Sequence, residues 1–291
     1  MACLDIKMRR KQLKTEEITN SVKDSLGVHL WRENRTDEAR DVLREGISEA
    51  EETSELIVLS THLAAVERVE GNLTESLRIL LDVRLLLHLC ASDLLKAKYH
   101  NALALTYKKL AESEGVEELF DKAFIEYEQA RFYYRAGGED KYTGYVENNI
   151  ASLLIETGKA YESHEYLDRA RELFANEPLR LAEINDTRAQ AHLAAGNLEE
   201  AYRSAVRSVE ALQDSDEILL LAQSRKTLEI IIAARRRASD SEPYRLALIE
   251  ADGSVAGAAV MLKLSRQGLE HVIKTRFPEL NEYAVRRPRG L

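Results

Sequence analysis

Apolar positions recur three and four residues apart along most of this chain, and a second pattern of small residues lies over them. An apolar residue followed by a small one occurs at Leu26-Gly27, Leu63-Ala64, Leu103-Ala104 and Ile150-Ala151, with a weaker Arg188-Ala189. A second small residue follows at Ala39, Ser76, Ala123, Ser163 and Ala201. The offset between the two marks is 12 residues in units one, two, four and five (27 to 39, 64 to 76, 151 to 163, 189 to 201) and 19 in unit three (104 to 123). Asn34, Gly71, Gly158 and Gly196 fall between the marks as turn residues, and unit three carries an insertion around Ser113-Glu114-Gly115. Four and seven positions after each second mark stand Leu43 and Gly46, Leu80 and Val83, Tyr127 and Ala130, Leu167 and Ala170, Ala205 and Ser208. That spacing puts one stripe on one helix face, and the stripe must pack against a neighbouring helix. The pattern predicts an all-α chain built from helical hairpins.

This repetition resembles the tetratricopeptide repeat over roughly residues 14 to 212. The family's period is about 34 residues, whereas the first marks here are 37, 40, 47 and 38 residues apart (27, 64, 104, 151, 189), so the units are longer than the minimal one. The family's tryptophan is missing from all five units, and its second inward tyrosine is kept only at Tyr107. A sixth helix over 216–237, with Leu228, Ile230, Ile231 and Ile232, is expected to close the array, since a solenoid needs a cap on its last stacking face. Arg235, Arg236 and Arg237 suit that helix's C-terminus. The resemblance implies an inner groove lined by first helices that takes a protein or peptide partner, and it places Asn101, Glu147, Asn148 and Asp186 there. An asparagine amide can both give and accept a peptide hydrogen bond.

Residues 238–243 read as a linker between an array spanning 14–237 and a unit spanning 244–291, because Pro243 lacks the amide hydrogen that a continuous helix needs. Three short helices follow, over 243–251, 255–262 and 266–276, with Asp252-Gly253 as a turn and Ser254 and Ser265 as N-caps. Leu246, Ile249, Val255, Leu262, Leu264, Leu269 and Ile273 are expected to face inward, with Ala258 and Ala259 allowing close contact. Gly253-Ser254-Val255, Ala258-Ala259, Leu262-Lys263 and Ser265-Arg266 resemble the Fis-type helix-turn-helix of bacterial transcriptional activators. The resemblance implies a third helix that reads DNA through Arg266, Gln267 and His271, with Lys274 and Arg276 on the phosphates. Arg286, Arg287 and Arg289 add a basic tail suited to phosphate. Three residues depart from the family: Lys263 stands where glycine usually takes a left-handed turn, Gly268 interrupts the third helix, and Glu270 would repel phosphate.

Charge divides the chain in the same place. The whole carries 41 Lys+Arg against 50 Asp+Glu, a net of −9. Residues 235–291 hold 11 basic and 7 acidic residues, a net of +4, which leaves −13 for residues 1–234. An acidic body with a basic end suits nucleic acid met at one end. A net of +4 is modest, so two copies are expected to be needed for useful affinity.

Composition narrows the rest. Four prolines, 13 glycines and 6% aromatics leave little strand or turn chemistry. The start lacks the apolar core of a signal peptide, and runs such as Leu85-Leu86-Leu87 are too short to span a bilayer, so a cytoplasmic protein with no membrane partner is expected. Cys3 and Cys90 make no disulfide framework. His164-Glu165 lacks the second histidine of the zinc-protease helix, there is no glycine-rich phosphate loop, and the seven histidines are scattered, so no metal, cofactor or catalytic role is expected. Two functions follow: a DNA-binding transcriptional regulator whose array binds or senses a partner, or a non-catalytic scaffold or adaptor whose helix-turn-helix is degenerate.

Overall fold

The computed structural model describes residues 20–284, with side chains from residue 23 onward, and among these every regular element is a helix. The basic tail with Arg286, Arg287 and Arg289, and the first residues of the predicted array, lie outside the described residues. The chain divides into two compact units, residues 1–187 and 188–291. The sequence places the main boundary at 237/238 instead.

In the first unit, helices pair as antiparallel hairpins: Asn20–Arg32 (α1) with Thr36–Glu49 (α2), Thr53–Val69 (α3) with Leu73–Val83 (α4), Asp93–Glu114 (α5) with Glu118–Ala136 (α6), and Asp140–Glu156 (α7) with Ala160–Leu173 (α8). Pro178–Ala194 (α9) spans the division. Asn34, Gly71 and Gly158 take the left-handed conformation at φ 60°, 85° and 77°. At each, paired backbone bonds close the preceding helix, as where Asn72 N donates to Glu67 O at 2.8 Å and Gly71 N to Arg68 O at 3.2 Å. The turn residues read from the sequence therefore act as helix stops.

The small marks are the points where helices touch. Ala39, Ala64, Ala104, Ala123, Ala151 and Ala170 are wholly buried, and Ser76 among them donates to the carbonyl of Ala64 at 2.7 Å, so its hydroxyl is satisfied inside the contact. The longer third unit needs no new loop. Its offset exceeds the others by seven residues, about two helical turns, and the hairpin absorbs them as extra length in α5 (22 residues) and α6 (19 residues), closed by Gly115 at φ 68°. Sharing the turns between antiparallel partners keeps Ala123 buried on the same face. In the Arg131-to-Arg135 segment, Tyr134 stacks on Tyr142 with centroids 5.3 Å apart and Tyr133 on His100 at 5.6 Å, while Phe132 stays exposed.

In the second unit, Leu198–Leu212 (α10) and Ile218–Glu250 (α11) pack together with the end of α9, joining Ala189, Ala201, Ala205 and Ile231 in one cluster. The fifth turn residue, Gly196, has φ 77°. Ser208 and Ser224 share a hydrogen bond of 2.9 Å between these helices. Residues 238–243 correct the sequence reading: they are helical, and α11 passes through Pro243 without a break. An interior proline costs about 3 kcal/mol or more, and the helix keeps buried contacts on both sides of it, at Ile231 before and at Ala247 and Leu248 after. Arg237 pairs with Glu279 at 2.8 Å, Arg276 with Asp240 at 3.2 Å, and Leu248 is wholly buried. Tertiary contacts here outweigh a local stop signal.

Val255–Met261 (α12) and Arg266–Thr275 (α13) follow, then a short 3-10 turn, Pro278–Tyr283. Both serine caps form: Ser254 accepts from Gly257 N at 3.2 Å and Ser265 from Gly268 N at 2.9 Å. Lys263 sits at φ 55°, a left-handed turn taken by a residue with a Cβ. The core unites Ala247, Leu248, Ala258, Ala259, Leu269, Ile273, Phe277 and Leu280. Leu246, Ile249 and Leu264 are exposed, against expectation.

Candidate functional sites

Five residues stand three places before the first small mark of each repeat: Asp24, Thr61, Asn101, Asn148 and Asp186. Two of them already have clear partners, for Asp24 bonds His62 and Thr61 donates to Ile57 O at 2.6 Å. Asn101 and Asn148 are half-buried, and the Oδ1 atom of each is buried without a hydrogen-bond partner. Such an acceptor is expensive to leave unmade, and the two stand at equivalent positions of adjacent repeats. Asp186 is buried on α9.

Glu147 does not join that line. It is 1% exposed, accepts from Arg169 Nε at 3.1 Å and meets Arg131 at 3.6 Å. Burial pushes its carboxyl up, against the downward pull of Arg169 and then Arg131. Its place one residue before Asn148 turns it about 100° around the helix, into the packing with α8. Family resemblance makes Glu147 a partner-binding residue; its carboxylate is instead taken up inside the repeat.

Two residues near the asparagines carry no sequence assignment. Arg68 lies seven places after Thr61, and Lys108 seven after Asn101, two turns along the same face. Lys108 bonds Ser152 Oγ at 3.1 Å and Glu156 at 2.7 Å. Arg68 donates to the carbonyl of Ala102, at 3.4 Å. Continuing the register along each first helix would have found both.

The second candidate surface is the outer face of α13. Leu269 and Ile273 are buried, and Arg266, Gln267, Glu270, His271 and Lys274 are exposed opposite them. Arg266 Nε donates to Glu270 at 2.8 Å, an exposed pair one turn apart that water screens strongly. Arg276, read from the sequence as a phosphate contact, pairs with Asp240 at 3.2 Å and covers the Phe277 ring at 4.9 Å. Among the described residues no group of three or more His, Cys, Asp or Glu could hold a metal ion, and no helix is long and apolar enough to cross a membrane.

No family model matches the chain, and no curated protein resembles it in sequence. Solved structures do resemble it. A thermophilic TPR protein of Thermus thermophilus is 17% identical, covering 72% of this chain and 99% of its own, with a TM-score of 0.54. BtubC from P. vanneervenii is 15% identical over 88% of this chain and 94% of its own, with a TM-score of 0.54. The human IFIT1 dimer with PPP-AAAA is 14% identical over 94% of this chain and 55% of its own, at 0.62. At these identities the likeness is one of fold: the chain has a tetratricopeptide-type helical solenoid fold.

Proposed function

We propose that this protein is a two-site regulator. Its repeats hold an extended segment of a protein partner along the first helices, and the outer face of α13 reads duplex DNA. The observation that carries the first half is the pair of buried, unpartnered Oδ1 atoms of Asn101 and Asn148 at equivalent places in adjacent repeats. A peptide main chain offers N–H groups at regular intervals, which suits acceptors repeated by the fold. The DNA half is supported by a helix capped at Ser265 whose exposed face gathers Arg266, Gln267, His271 and Lys274. Arginine and glutamine are the side chains that pair bidentately with guanine and adenine edges.

A second reading, a scaffold or adaptor that does not touch DNA, draws on one observation. Glu270 occupies Arg266, and Asp240 occupies Arg276, so two of the predicted DNA contacts are neutralised within the unit. Selection of a random-sequence duplex pool on the full chain at low salt tests the two. Enrichment of a site, lost as salt rises, supports the regulator, since phosphate contacts release counterions. No retained duplex at low salt leaves the adaptor.

A further inference from the structure

A cleft of about 470 Å³ opens between α2, α3 and α4, a volume within the range of small-molecule sites, about 300–1,000 Å³. Helix α3 contributes Leu56, Ser60 and Leu63, spaced four and three residues apart on one face. Helix α2 adds Ile47, and α4 adds Ile79 and Val83. Ser60 stands about 100° around α3 from Thr61, so the cleft faces away from the positions that the asparagines take in later repeats. Ser60 is 2% exposed, and among the described residues its hydroxyl meets no hydrogen-bond partner, whereas Thr61 beside it donates to Ile57 O at 2.6 Å. One buried hydroxyl thus lines a cleft that is otherwise aliphatic on its inner side.

The charged side chains that line the same cleft are unequally committed. Glu75 and Asp82 both hold Arg78, at 2.7 and 2.6 Å. The Arg78 guanidinium keeps the Glu75 carboxyl below the ordinary carboxylate range, with a smaller pull from Arg44 of α2. Arg44 itself meets Glu67 at 3.5 Å, and that carboxylate is already bonded by Arg40 at 2.9 Å and by Asn72 at 2.7 Å. The loosely held charge of the cleft is therefore positive, and it belongs to Arg44.

We propose that this cleft binds a medium-chain carboxylate, its aliphatic chain lying against Ile47, Leu56, Leu63, Ile79 and Val83 and its head group accepting from Ser60 and Arg44. The chain displaces water from apolar walls, and a carboxylate oxygen accepts from a hydroxyl and a guanidinium more strongly than a neutral oxygen does. A neutral alcohol satisfies Ser60 but leaves Arg44 as it is. A cation meets Arg44 with like charge and finds both acids occupied by Arg78. The site uses neither the asparagines nor α13, so it stands or falls separately from the peptide and DNA contacts proposed above.

Titration calorimetry of the full chain with octanoate, decanoate, decanol and decylammonium, below the concentrations at which they form micelles, tests this. Decanoate should saturate a single site and bind roughly tenfold more tightly than octanoate, since each methylene against an apolar wall is worth about fourfold in affinity. It should also bind about tenfold more tightly than decanol or decylammonium. Arg44→Gln should bind decanoate and decanol alike, and Ser60→Ala should weaken decanoate several-fold. Ser48 lines the cleft and is exposed, so Ser48→Trp should block the site while its melting temperature stays near that of wild type. The comparison of ligands on wild type stands even where a variant fails to fold. No saturable heat with decanoate, equal binding of decanol, or tighter binding of decylammonium each overturns the proposal. So does decanoate binding that Ser48→Trp leaves unchanged, which would mean adventitious association with the surface.

Discussion

A Cβ placed on Gly144 would stand 2.5 Å from Cε2 of Phe174 and 2.8 Å from its Cζ. The ring is 2% exposed and tilts against Tyr145 at 5.1 Å, so it has nowhere to retreat. Gly144→Ala should therefore destabilise the protein despite a gain of roughly 0.5–1 kcal/mol in helix propensity, because overpacking a tight core costs about 1–3 kcal/mol. Phe174→Leu in the same chain should return part of the loss. Thermal melts of the single and double variants give the coupling, and additive effects would show that the two residues do not share the space.

The repeat register makes a sharper demand at Ala170. That residue is 0% exposed. Ala170→Arg buries a guanidinium with no prepared partner, a loss of several kcal/mol. The same change at exposed Glu165 should move the melting temperature little. Equal behaviour of the two variants would contradict the register.

Glu147 should tolerate loss of its charge. A raised folded-state pKa means that the native state binds the proton more tightly than the unfolded state does. Its contribution to stability is therefore fully present below the ordinary glutamate value of 4.5 and is lost as pH rises through the raised one. Glu147→Gln keeps the shape and removes the titration, so it should melt at or above wild type at pH 7, with the gap closing as pH falls through that window. Melting curves from pH 3 to pH 8 decide this, and a large loss at pH 7 would mean that the ion pair with Arg169 outweighs desolvation.

On DNA, the residues of the outer face should fail in different ways. Arg266→Ala should lose about 1–3 kcal/mol on a selected site and little on random duplex. Lys274→Ala should weaken all sequences alike and lower the salt slope by about one, and replacing Arg286, Arg287 and Arg289 should flatten it further. Glu270→Gln should strengthen binding generally, since it frees Arg266 and removes a like-sign charge. Fluorescence anisotropy across a salt series reads all four.

The hairpins were legible because close helix contact imposes small residues at fixed intervals, and Gly71, Gly158 and Gly196 announce the left-handed stops. Ser254 and Ser265 were legible for a similar local reason, since a cap is written within four residues. What local rules missed was set by distant chain. Pro243 reads as a stop until Glu279 and Arg276 are brought beside the helix, and Glu147 reads as a groove residue until Arg131 and Arg169 close over it. Gly144 carried no signal, because its need arises from a ring 30 positions away.

The unbroken α11 changes what the C-terminal helices are. Over 33 residues, about 50 Å at the usual rise, one rod supplies Ile231 to the packing with α10 and Leu248 to the packing with α12 and α13. These helices are then joined to the packing on α10 by unbroken helix rather than by a linker. A fragment cut at residue 240 would sever that rod and lose Arg237's grip on Glu279, so the smallest piece that can be asked about DNA fairly is one that keeps α11 whole.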